Sequence, residues 1–164
     1  MALAAAHILI AIFILDLFRH HLFGKKKFPR YLLIVGGIAG LGPDLDVPLT
    51  WFFNFITGNT GTLHGTFTHS FFFVSIFLIV ALVFHYQKNI KLARIFYVIS
   101  AGWLIHLFLD WIYGEYKFLF WPFPTPMSIF PNTGIVNYAV EIDAIILVLW
   151  LVHEEIYSNV KDYY

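Results

Sequence analysis

Apolar residues run along this chain in five long stretches: Ala2–Phe18, Tyr31–Leu41 with a continuation to about Ile56, Ser70–Tyr86, Leu92–Tyr113 and Ile135–Val152. Several are apolar all round, with no polar stripe to face water. That pattern belongs to a helix enclosed by other protein or by lipid. A bilayer core about 30 Å thick takes roughly 20 helical residues, so the first and third stretches sit at the short limit. The pattern predicts an all-α, polytopic membrane protein with about five transmembrane helices, residues 1–164 forming a single membrane-embedded domain. The second stretch is interrupted by Gly42-Pro43. Proline removes a backbone donor and biases its predecessor away from helix. Broken backbone at membrane depth survives only where protein or water satisfies it. The first stretch lacks a positive n-region and a clear cleavage site, and reads as a retained helix.

Composition agrees. Hydrophobic residues make up 60% of the chain and charged residues 12%, against about a quarter charged in a soluble domain. Net charge is zero, which leaves no basic footprint for nucleic acid. There is no cysteine, so disulfides and thiolate ligands are excluded. The basic residues set an orientation. Arg19, Lys25, Lys26, Lys27, Arg30, Lys88, Lys91, Arg94 and Lys161 fall on one side of a five-crossing arrangement, and only Lys117 falls opposite. The positive-inside rule makes the crowded side cytoplasmic. The N-terminus is then outside, the C-terminus inside, and the location a cell membrane (inner or plasma).

Against this frame the polar residues sort by depth. His7, Asp44, Asp46, His64, His69, His106, Asp110, Glu115, Glu141 and Asp143 all fall in the outer half or the outer loops. Counted from the cytoplasmic helix ends, His7 rises about 17 Å, Asp44 about 20 Å, His106 about 21 Å, and His69 and Asp110 about 26 Å. Four helices thus bring His or Asp to one layer. His20, His21, His85 and His153 sit at the cytoplasmic side and read as solvated or interfacial.

Three constellations carry chemistry. His106 and Asp110 are an i, i+4 pair on one helix face, a spacing that suits two ligands or a carboxylate orienting an imidazole. Ionisable groups inside an apolar segment are costly and usually functional. Asp44 and Asp46 follow the helix break, where they can bridge two cations, or one can ligate while the other acts as base. His64 and His69 flank a Gly-Thr-Phe-Thr run before the third stretch, where Thr68 or Ser70 also suits a helix cap. Imidazole with carboxylate suits Zn, Mn or Fe, and several carboxylates point to more than one divalent ion. Glu141 and Asp143 either complete the cluster or favour a helix N-terminus. The rigid Trp121–Pro126 stretch is placed to roof the site.

The order of these motifs resembles a known family. His7, Gly40-Leu-Gly-Pro-Asp-Leu-Asp46, His64-x3-Thr68-His69-Ser70, His106-x3-Asp110 and Gly114 to Phe123 look like the YdjM-like family of membrane-bound, metal-dependent hydrolases, described in bacteria as LexA-regulated. That family is in turn similar to zinc-dependent phospholipase C and P1 nuclease. The resemblance implies His7, Asp44, His69, His106 and Asp110 as metal ligands, with Asp46 and His64 as ligands or their supports. Many relatives carry a basic residue where this chain has Gly65; this chain has either lost it or replaced it, with Lys117 the candidate.

The expectation is a metal-dependent hydrolase of a phosphoester in a lipid or lipid-linked substrate, with membrane lipid as its partner. Asp46 or Asp110 would serve as general base, and His64 would stabilise the leaving group. The rival readings are an ion- or proton-coupled transporter and a non-catalytic membrane protein. Asp16 is the only acid in the inner half of a helix, which supports a through-path poorly.

Overall fold

The computed structural model describes residues 4–128, 130–131 and 134–158; Lys161 lies outside them. Six α-helices account for the described architecture: α1 (Ala4–Phe18), α2 (Tyr31–Gly40), α3 (Asp46–Thr57), α4 (Phe71–Tyr86), α5 (Ile90–Ile112) and α6 (Ala139–Ser158). α1 runs on through a π-helical turn at Arg19–Phe23, and short 3-10 turns at Pro43–Leu45 and Phe67–His69 precede α3 and α4. The described residues contain no β-strand, only one isolated bridge between Lys117 and Met127.

The break at Gly42-Pro43 is real: α2 and the Pro43–Thr57 segment meet at 51°. The count of five spans is corrected. Ala4–Phe23 and Ile90–Ile112 are long and apolar enough to cross a membrane, and the bent α2–α3 pair makes a third if taken as one span. Ten residues give α2 a length of about 15 Å, and sixteen give α4 about 24 Å. α6 is longer, but Glu141, Asp143, Glu154 and Glu155 dilute its apolar run.

α5 is the central helix, packed on α2, α4 and α1. Leu15, Leu32, Leu33 and Val98 close the α1–α2–α5 interface. Val74, Trp103, Leu107 and Trp111 close the α4–α5 interface, and Ser100 Oγ donates to the Val74 carbonyl at 2.9 Å. Small residues let backbones approach where lipid gives helices no hydrophobic reason to associate. A Cβ on Gly102 would stand 2.6 Å from the Gly36 carbonyl oxygen, and one on Gly40 2.8 Å from the His7 carbonyl oxygen. The glycine face of α2 is therefore what seats it between α1 and α5. That contact also aligns His7, the end of α2 and His106 at one depth.

Candidate metal centre

Five elements deliver the cluster. α1 brings His7, the 3-10 turn after α2 brings Asp44, the first residue of α3 is Asp46, the turn before α4 brings His69, and α5 brings His106 and Asp110. His7, Asp46, His69, His106 and Asp110 are each at most 2% exposed. This is the layer expected from the sequence, now closed into a pocket.

Hydrogen bonds fix which nitrogen of each ring faces inward. His106 Nδ1 lies 2.7 Å from the Gly40 carbonyl oxygen. A carbonyl can only accept, so Nδ1 carries the proton and a neutral His106 turns the Nε2 lone pair into the pocket. His69 is set the same way, with Nδ1 3.0 Å from Asp46 Oδ2. The two Nε2 atoms then face one another at 3.3 Å. Paired lone pairs at that distance call for a cation or a proton between them.

The carboxylates complete the shape. Asp44 Oδ1 is 3.5 Å from His69 Nε2 and 3.6 Å from His106 Nε2. Asp110 Oδ2 is 3.5 Å from His69 Nε2 and 3.4 Å from His106 Nε2. Ligands at 2.0–2.1 Å in a tetrahedron stand about 3.3–3.4 Å apart. Five of the six separations among these four atoms, all but Asp44 Oδ1 to Asp110 Oδ2, match that spacing within a few tenths of an ångström. The other oxygen of Asp110 is 3.3 Å from His7 Nε2, and the His7 ring stacks on His106 at 3.9 Å. Both His7 nitrogens and Asp110 Oδ2 are buried without an aligned hydrogen bond. His7 Nε2 is within ion-pair distance of Asp110 but poorly aligned for donation, which is the geometry expected of two ligands and not of a donor and its acceptor. The donor set therefore fits a divalent cation. His7 with Asp110 Oδ1 supplies two ligand atoms toward a second.

Asp46 sits one layer behind. Its Oδ2 accepts from Gly65 N at 3.0 Å and Thr68 Oγ1 at 2.8 Å, and its Oδ1 lies 2.9 Å from His64 Nδ1. Both oxygens are engaged, and the residue is 0% exposed. Asp46 contacts ligand rings from behind and is turned away from the cluster centre. His64 offers a ligand atom within 4.8 Å of those of Asp44 and His69, and its Nε2 also faces Lys117 Nζ at 3.0 Å.

Lys117 enters from the loop after α5. The residue is 2% exposed. Its Nζ lies 3.4 Å from Asp110 Oδ2 and 2.8 Å from Glu115 Oε2. The stem passes over Gly65, where an added Cβ would be 3.1 Å from Lys117 Cδ. Gly65 has φ +79°, a region that L side chains rarely adopt. Glycine thus serves both the turn and the lysine. Burial alone would push the Glu115 carboxyl up, but the Lys117 ammonium outweighs it and holds Glu115 below its ordinary range. At His69, burial opposes the charged ring, yet Asp44 and Asp46 hold the imidazole above its ordinary value. The field that favours a proton there also favours a metal cation.

The remaining expectations sort as follows. Glu141 is exposed and outside the cluster; Asp143 is buried but is not among the converging ligand atoms. Trp121 packs on Phe67 and Phe72. His85 is exposed against Tyr97 and His21 is exposed. The interfacial reading of His20 and His153 is overturned, because both meet buried Asp16. The missed signal was Asp16-x3-His20, the same i, i+4 spacing as His106-x3-Asp110.

Fold and site together define a class: an all-helical membrane protein that gathers His and Asp from separate helices into one buried cluster. The chain belongs to the YdjM inner membrane protein family, whose model matches residues 1–159. No curated protein matches it, and no solved structure matches it. The family match leaves the likeness to zinc-dependent phospholipase C and P1 nuclease as an expectation only.

Proposed function

We propose that this protein is a membrane-embedded, metal-dependent hydrolase of a phosphoester in a lipid or lipid-linked substrate. The observation that carries the reading is the facing pair of His69 Nε2 and His106 Nε2, with Asp44 Oδ1 and Asp110 Oδ2 each 3.4–3.6 Å from both. Zinc suits this ligand set, with Mn or Fe as alternatives. When bound there, such an ion supplies Lewis acidity to a phosphoryl oxygen and acidifies water.

The protein's own groups divide the remaining work. Asp46 and the Gly40 carbonyl hold His69 and His106 in the ligating tautomer, a supporting role typical of groups behind a metal ligand. This assignment replaces the ligand and base roles expected for Asp46. Lys117 presents a buried ammonium beside Asp110, where it can pair with a phosphoryl oxygen. His64, anchored through Nδ1 on Asp46, accepts at Nε2 from the Lys117 ammonium and can pass that proton on to the leaving oxygen. Among these groups the side chains of Asp44, His64 and Glu115 are 18–22% exposed, and they mark the mouth. A groove of about 300 Å³ lined by Val47, Thr50, Trp51, Thr62 and His64 adjoins that mouth. Trp51, Phe52 and Phe55 project outward from the same helix, at 70%, 64% and 88% exposure. An apolar approach of this kind suits a substrate that arrives within the lipid.

The orientation follows from charge. Arg19 to Arg30 and Lys88 to Arg94 lie at the end of the bundle away from the cluster. That end is cytoplasmic by the positive-inside rule, so the N-terminus and the cluster face outward. The test is zinc content and lipid phosphoester cleavage by the purified protein in detergent. Bound metal with hydrolysis, both lost in His106→Ala, is the expected result. A metal-free protein whose behaviour is unchanged by His106→Ala and Asp44→Asn would reject the proposal.

A further inference from the structure

A second His/Asp cluster lies at the basic end of the bundle, and the hydrolase reading makes no use of it. Asp16 of α1 is 0% exposed. Its Oδ2 is 3.1 Å from His153 Nδ1 of α6, and its Oδ1 is 3.4 Å from His20 Nε2. One ligand atom from each of the three residues lies within 4.8 Å of the others. The side chains of His20 and His153 are 3% and 10% exposed. His20 stands in the π-helical turn that ends α1. Such turns are frequent at functional sites. Here the turn leaves His20 directed back at Asp16.

Arg19 is the fourth member. Its Nε donates to the Phe28 carbonyl at 3.1 Å. Its Nη1 lies 3.3 Å from Asp16 Oδ1 and 2.9 Å from His20 Nε2. Guanidinium only donates, so His20 Nε2 accepts with its one lone pair, and that nitrogen stays 3.4 Å from Asp16 Oδ1. His153 cannot be satisfied by either neutral tautomer. With the proton on Nε2, the Nδ1 lone pair confronts Asp16 Oδ2. With the proton on Nδ1, the buried Nε2 is left without a hydrogen bond. A cation bound between Asp16 Oδ2 and His153 Nδ1 resolves the first arrangement.

We propose that Asp16, His20 and His153 form a second binding site for a divalent transition-metal ion, which clamps α6 to α1. Arg19 is the tethered cation that shares the site's acceptors in the metal-free state. Metal entry takes the His20 Nε2 lone pair from Arg19, while Asp16 Oδ1 keeps the guanidinium as an outer partner. Carboxylate ligands are commonly supported in this way. Two imidazoles and one carboxylate match the borderline ligand set of Zn or Ni. The site's geometry is independent of the outer cluster and of any hydrolase activity. Its effect is local, because α6 is otherwise tied to the basic end by Arg30 to Glu154 at 3.2 Å and by Lys25 Nζ to the Tyr157 carbonyl at 2.5 Å.

The experiment is zinc titration of the full-length, metal-stripped protein in detergent, with bound zinc counted per chain and the unfolding midpoint recorded. The Asp44→Asn, His106→Ala double variant disables the outer cluster and should still bind one zinc and unfold at a higher temperature when zinc is added. Adding His153→Ala to it should abolish both effects. Arg19→Gln should tighten zinc binding at this site several-fold, since a competing charge is removed. A folded outer-cluster variant that binds no zinc overturns the proposal. If that variant does not fold, Asp16→Asn and His153→Ala in the otherwise intact chain decide it: zinc stoichiometry equal to wild type overturns the second site.

Discussion

His106 Nδ1 donates to the Gly40 carbonyl oxygen at 2.7 Å, across the closest approach of α2 and α5. One bond thus joins helix packing to ligand chemistry. The carbonyl is free because α2 ends at Gly40, and it is within reach because glycines keep the two backbones together. The same contact that seats α2 selects the His106 tautomer.

A methyl group in that interface should damage both properties. A Cβ on Gly102 meets the Gly36 carbonyl oxygen at 2.6 Å, and a backbone atom cannot rotate away. Gly102→Ala should destabilise the protein by about 1–3 kcal/mol, the usual cost of overpacking. It should also weaken zinc binding. Unfolding midpoints and zinc stoichiometry on the same samples check this.

Asp46 is expected to act through His69 and His64. Asp46→Asn should lower outer-site zinc affinity about 10–100-fold, as loss of a group behind a ligating histidine typically does, without removing the site. Asp44→Asn, which removes a ligand atom, should cost more. Competition with a zinc-binding dye ranks the two variants. Equal effects would place Asp46 among the ligands after all.

Lys117 should matter to turnover and not to metal retention. Lys117→Met should leave zinc bound, or bound more tightly, while phosphoester cleavage falls roughly 100-fold, the scale seen when one charge-stabilising donor is lost. Parallel zinc and activity measurements separate this outcome from simple unfolding.

The Glu115–Lys117 pair has a predictable acid dependence. Glu115 is held below its ordinary value of 4.5. A carboxylate depressed in the folded state contributes stability that is present above its unfolded pKa and lost as pH falls through its folded one. The stability gap between wild type and Glu115→Gln should be constant at neutral pH and shrink as pH drops below about 4.5. A gap that instead grows on acidification would contradict the pairing.

Metal removal should be visible without any substrate. A ligand that binds only the folded state stabilises by about 2.7 kcal/mol at 100 times its Kd. Chelation should therefore lower the unfolding midpoint, and zinc should restore it in a concentration-dependent way. A midpoint unmoved by chelator and zinc alike would argue against a bound ion.

Much of this was legible in the residues alone. Apolar stretches without a polar face foretold an all-helical membrane protein, and Gly42-Pro43 foretold the break that frees Asp44. Helical rise and the basic-residue count placed His7, Asp44, His69, His106 and Asp110 in one layer, because depth along a helix depends only on position in the chain. What position could not decide is the direction in which each side chain points, which depends on how helices rotate against their neighbours. Packing turned Asp46 behind the ligands, drew Lys117 over Gly65 into the cluster, and carried His153 across to Asp16.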